Sequence, residues 1–198
     1  MTRVLAALSA ALALVAAGCG DEQRVKTSEL PRLVLQPSDL PSGFSQFDAG
    51  KQVQADTTGR ERADAERFGR QGGWKARYRR RGGPSSVGPL VVESRADFFD
   101  ADGGAAKDLK AYRIDVNALA GPGGATAVRA PKIGDEAFAL TRAQGSGRFR
   151  IRLYTIVWRH ANVSASVSAT GFDGRFPFWR AVALARAQER RIDATVAG

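Results

Sequence analysis

The only cysteine in this chain of 198 residues, Cys19, closes an N-terminal run that a folded domain does not use, MTRVLAALSAALALVAAGC. Arg3 supplies a charged start that stays on the cytoplasmic side. Residues 4–15 form an apolar core, and Ala16, Ala17 and Gly18 present small side chains that let a peptidase grip the backbone. The apolar run falls short of the ~20 residues that span a bilayer and lacks a charged stop-transfer flank, so residues 1–18 read as an export signal. With Cys19 at the processing site, the body has no thiol, which excludes disulfides, cysteine zinc sites and cysteine nucleophiles. His160 is the sole histidine, so multi-histidine metal sites are excluded and a serine hydrolase would have to use that one ring. The residues therefore present no catalytic set, no metal set and no cofactor motif.

Ala16-Ala17-Gly18-Cys19 resembles the lipobox of bacterial lipoproteins. The resemblance implies that the Cys19 sulfur receives a diacylglycerol and that the new N-terminus is acylated too. Several acyl chains hold a protein stably on a bilayer, whereas one myristoyl-sized chain binds only marginally. The implied location is the extracytoplasmic side of the cell membrane. Residues 19–30, polar and weakly patterned, suit a solvated tether, and residues 31–198 suit a single domain.

The formal charge is +10, and loss of Arg3 with the signal lowers it by one to +9. Of the 30 cations, 24 are arginine, a bias that together with abundant Ala and Gly suggests a GC-rich, actinobacterial genome. Such basicity ordinarily raises nucleic-acid binding. Export argues against that partner and for the anions outside the membrane: phospholipid headgroups, acidic envelope polymers and envelope proteins.

Turn-forming residues at 37–45 lead into a first strand around 44–53, and the charged stretch 58–70 suits a short exposed helix. Trp74, Ala76 and Tyr78 alternate with Lys75, Arg77, Arg79 and Arg81, the period of a half-buried strand; residues 90–98 are its partner. The arginine row is either a contact for an anionic surface, joined by Arg148, Arg150 and Arg152, or a solvated face balanced by Glu93 across the ladder. Asp100-Ala101-Asp102-Gly103 lacks the rest of a calcium loop and reads as the cap of a helix over 104–119. Its core stripe is Ala105, Leu109, Tyr112, Val116 and Leu119. Pro177 suits the first turn of a closing helix carrying Phe178, Val182, Ala185 and Ile192 on one face.

Phe149, Ile151, Leu153 and Val157 alternate with Arg148, Arg150, Arg152 and Tyr154, while Val163, Ala165, Val167 and Ala169 alternate with serines. Matching apolar to apolar pairs Val157 with Val163 and Leu153 with Val167, leaving residues 159–161 as the loop and His160 as a solvated turn residue. The opposite face then carries Tyr154, Ile156 and Trp158 beside Asn162, Ser164 and Ser166. Tyr154, Trp158, Ser164 and Ser166 become the candidate ligand-binding residues.

These elements add up to an α+β domain: an antiparallel sheet of six or seven strands with three packed helices. The stretches LVLQPSDLPSGF, PKIGDEAFAL and WRHANVSASVSATGF to ALARAQERRID resemble those of small actinobacterial envelope lipoproteins and extracellular sensor domains, including PsbP-like and PknH-sensor-like modules. The resemblance spans most of residues 33–193 and implies a non-enzymatic binding or accessory role with no catalytic residues carried over. The leading expectation is thus a lipid-anchored, non-catalytic binding module of the envelope. Two alternatives stand beside it. One is a hydrolase using His160. The other is a lipid carrier, which needs a deep apolar cavity that a sheet plugged by Trp158, Tyr154 and the last helix would exclude.

Overall fold

A computed structural model of the chain describes Val25 and residues 27–51, 65–118 and 124–197. The export signal, Cys19 and most of the expected helix over 58–70 lie outside the described residues, as does the expected end of the following helix at Leu119. The described part is α+β: seven antiparallel strands, two α-helices and four short 3-10 turns. The strands are β1 (Ser45–Lys51), β2 (Arg70–Arg79), β3 (Val91–Phe99), β4 (Thr126–Val128), β5 (Glu136–Gln144), β6 (Ile151–His160) and β7 (Val163–Phe172). They lie in the order β1-β2-β3-β7-β6-β5-β4. Two meanders are joined by helix α1 (Asp102–Ala118), which carries the chain from the end of β3 to the far edge so that β7 returns to pair with β3.

Each face of the sheet is covered by one helix. Helix α2 (Phe178–Val196) and the N-terminal segment cover Trp74, Ala76 and Tyr78 of β2, the even-numbered residues of β3 and β6, and the odd-numbered residues of β7. Helix α1 crosses the other face, where Ala105 and Leu109 are buried, Tyr112 meets the Phe138 ring at 5.7 Å and Arg113 pairs with Glu136 at 3.0 Å. Of the face expected on α2, Ala185 and Ile192 are buried while Phe178 and Val182 are half-buried at its margin; the stripe is centred instead on Ala181, Leu184, Ala185 and Ile192, and Pro177 caps the helix from outside its first turn. Packed residues begin earlier than the composition suggests. Val25 is 3% exposed, and the 3-10 turn Thr27–Arg32 sends Leu30 into the core, so part of the expected tether of residues 19–30 belongs to the domain.

The layers are also keyed by polar groups. Ser94 on β3 accepts the Leu35 N–H (2.9 Å) and donates to the Gln188 side chain (2.7 Å), whose amide donates to the Arg95 carbonyl (2.8 Å). Tyr78 donates to the Leu35 carbonyl at 2.6 Å. A buried polar group stabilises a fold only when paired, so this chain fixes how α2, β3 and the N-terminal segment meet.

The β6–β7 hairpin corrects the sequence register. His160 pairs with Val163, Ile156 with Val167, and Val157 with Ser166, leaving a tight turn of Ala161 and Asn162. Ala161 adopts a left-handed φ of 48°, as a two-residue hairpin turn demands. The alternation argument failed because β6 has no solvated face over its central stretch: Thr155, Ile156, Val157 and Trp158 are all buried, between α2 on one side and α1 on the other.

Candidate functional site

Where β1 starts and β2 ends, Ser45 pairs with Arg79, and the preceding turn folds over this corner to leave a cleft of about 730 Å³. It is lined by Ser42, Gly43, Ser45, Arg79, Arg80 and Arg81. Gly43 takes a φ of 89°, a left-handed turn position suited to glycine. Arg80 is a structural member of the wall: its guanidinium donates to the Pro89 carbonyl (2.6 Å) and the Val87 carbonyl (2.5 Å) and lies over the Phe44 ring. Among the described residues, no carboxylate lies within ion-pair distance of Arg79 or Arg81. The cleft thus offers two uncompensated guanidinium groups and serine hydroxyls, which suits an anion bearing several oxygens.

The other arginines singled out from the sequence do not form one patch with these. Arg77 contacts Asp48 at 2.6 Å and Glu93 at 3.6 Å, and Lys75 reaches Asp48 at 2.9 Å. The Lys75 hydrogen bond, with the Arg77 and Lys75 charges, holds the Asp48 carboxyl below its ordinary value. This half of the row is therefore the charge-balanced surface that Glu93 suggested. Arg150 and Arg152 both pair with Asp173, at 3.1 and 2.9 Å, and Arg148 is exposed, lying over the Phe149 ring. Three strand spacings, about 14 Å, separate β2 from β6, and Arg152 faces the α2 side whereas Arg77 and Arg79 face the other.

The candidate ligand face of Tyr154, Trp158, Ser164 and Ser166 is divided by the observed register. Trp158 is 0% exposed and donates to Glu189 of α2 at 2.6 Å, and the Tyr154 ring packs between Phe176 and Phe178. Ser164 and Ser166 lie on the opposite face of the sheet. The even-numbered β6 residues thus anchor α2, and Trp158, Tyr154 and α2 close this face of the sheet. His160 is no solvated turn residue either. Its Nδ1 lies 2.8 Å from Glu189, and its Nε2 lies 4.0 Å from Asp193. Among the described residues no hydroxyl is hydrogen-bonded to the ring, so a serine nucleophile for His160 is not in place.

Sequence reasoning passed over Ser42, Gly43, Ser45 and Arg80, reading the segment around them only as a turn. The available signal was the run Arg79-Arg80-Arg81 alone; Ser45 lies 34 positions before Arg79 and meets it only through the β1–β2 pairing. The Glu189 clasp on Trp158 and His160 had no local signal, since 29 and 31 positions separate the partners.

This arrangement of sheet and helices recurs elsewhere. The extracellular domain of PknH from Mycobacterium tuberculosis superposes with a TM-score of 0.65 at 13% identity, over 87% of this chain and 99% of that one. A Rv0999 ortholog from Mycobacterium smegmatis gives a TM-score of 0.41 at 15% identity, over 88% and 96% of the two chains. No protein-family model matches the chain, and no curated protein matches it in sequence. The PknH-like expectation therefore holds at the level of fold.

Proposed function

We propose that this protein is a lipid-anchored, extracytoplasmic binding module of the cell envelope, non-catalytic, that captures an anionic envelope ligand in the cleft of Arg79, Arg80 and Arg81. The observation that carries the reading is a cleft lined by Arg79 and Arg81, with which no carboxylate pairs among the described residues. An uncompensated charge pair costs self-repulsion that an oxyanion relieves, and charge-assisted hydrogen bonds to such a ligand are about twice as strong as neutral ones. The fold shared with an extracellular domain, the export signal and the lipobox at Cys19 support the location. None of the described helices is long and apolar enough to cross a membrane.

The intact protein, solubilised in a non-ionic detergent, is titrated with an oligomer of glycerol phosphate, with polygalacturonate and with a neutral glucan. Saturable binding of a polyanion, weakened as salt shortens the Debye length, is the expected result. Equal binding of the neutral glucan, or none of any probe, refutes the anion cleft. In parallel, Cys19→Ala should release the protein from the membrane fraction or block its processing; a Cys19→Ala chain processed to the wild-type size that stays in the membrane fraction refutes the anchor.

A further inference from the structure

We infer that the outer side of the layer formed by α2 and the N-terminal segment lies against an anionic phospholipid surface, an orientation that rests on the anchor proposed at Cys19. The first argument is reach. Val25 is buried and Thr27–Arg32 packs beside the C-terminal half of α2, so the domain's own N-terminal end belongs to this layer. A groove between the two is lined by Glu29, Arg32, Arg190, Arg191 and Thr195, among others. Cys19 precedes Val25 by six positions, and at ~3.5 Å per residue the chain between them spans no more than about 21 Å. Acyl chains at Cys19 therefore draw this layer, rather than the α1 side, toward the headgroups.

The second argument is the chemistry of that surface. Trp179, Ala183, Arg186 and Arg190 recur at steps of four, three and four, so they form one stripe, and all four are exposed. Trp179, 61% exposed, is the most open of the large hydrophobic residues among those described, and the Arg180 guanidinium lies 4.8 Å from its ring centroid. Beside it a notch of about 230 Å³ is walled by Pro41, Pro89 and Leu184. Among the described residues no carboxylate pairs with Arg180, Arg186 or Arg190, while Asp39 of the same layer is engaged by Arg191. An amphipathic indole flanked by free guanidinium groups matches the interface of an anionic leaflet, where tryptophan sits at headgroup depth and each nearby cation adds attraction.

The intact lipidated protein is reconstituted into vesicles of phosphatidylcholine, with or without phosphatidylglycerol, carrying brominated acyl chains that quench tryptophan on contact. Trp179→Phe defines the contribution of Trp179. With phosphatidylglycerol present we expect about half of the Trp179-dependent emission to be quenched, and little of it on neutral vesicles. Arg186→Glu with Arg190→Glu should abolish the difference between the two lipids. Wild-type protein that floats with the vesicles while Trp179 stays unquenched overturns the orientation, leaves the anchor standing and hands the stripe to a protein partner. A chain carrying Cys19→Ala with Arg186→Glu and Arg190→Glu, processed to the wild-type size, that still fractionates with membranes overturns the anchor, and with it the reach argument.

Discussion

Ala161 is the one non-glycine residue with positive φ among those described, at 48°, and it makes the β6–β7 turn. A left-handed backbone costs an L-residue with a Cβ roughly 1–2 kcal/mol, part of which glycine regains at an entropic cost. Ala161→Gly should therefore stabilise the protein by about 0.5–1 kcal/mol, read as a raised midpoint of urea unfolding. Tyr78 gives the opposite sign. Its hydroxyl bonds the Leu35 carbonyl, and burial, followed by the charge of Asp39, raises its ionisation above the ordinary value of 10.0. The folded state thus holds the phenolic proton more tightly than the unfolded chain does. That stability is fully present below pH 10.0 and is lost as pH rises through the folded value. Tyr78→Phe should cost about 1 kcal/mol at neutral pH and flatten the alkaline limb of the stability profile. Asp48 mirrors it at the acid end. Its depressed carboxyl contributes stability above its ordinary value of 3.8 that is lost as pH falls through the folded value, so Asp48→Asn should flatten the acid limb.

At the scale of elements, α2 is held by an apolar face and by polar grips that include Gln188 on Ser94, Glu189 on Trp158 and Arg191 on Asp39. Trp158→Ala should cost about 3–5 kcal/mol through the lost burial of the ring and the cavity it leaves. It should also leave polyanion binding by the remaining folded protein unchanged, because Trp158 does not line the cleft. A ligand affinity that falls in step with Trp158 would restore the aromatic face as the site. Helix α1 begins against β3, where a Cβ on Gly104 would press on the Phe68 carbonyl and the Phe99 ring.

Strands β2, β3 and β7 were legible because each shows a clean period, as in Trp74, Ala76 and Tyr78, and α2 was legible as a helix although of its expected face only Ala185 and Ile192 are fully buried. The pairing of β6 was not, because both its faces are covered and both of its alternating sets are apolar enough to pass as the core side. The division of the arginines was half legible. Glu93 foretold the neutralised Arg77, whereas Asp48 and Asp173 reach their partners through turns and registers that a linear pattern does not encode.

For the whole molecule, the anchor proposed at Cys19, the short span from there to Val25 and the position of α2 define the proposed orientation. In it the basic helix layer faces the bilayer, and the cleft opens at the corner where Pro41, on the edge of the apolar notch, leads into Ser42. The excess positive charge then divides between bilayer contact and ligand capture instead of acting as a diffuse coat. The cleft and the total charge make different predictions, which two paired substitutions separate. Arg79→Gln with Arg81→Gln, and Arg150→Gln with Arg152→Gln, remove the same charge from two places. Affinity for the glycerol phosphate oligomer, measured by calorimetry on the intact protein, should fall about tenfold for each cleft arginine removed and stay near wild type for the Arg150/Arg152 variant. Equal losses in the two variants, or an unchanged affinity without Arg79 and Arg81, would contradict an anion-binding cleft.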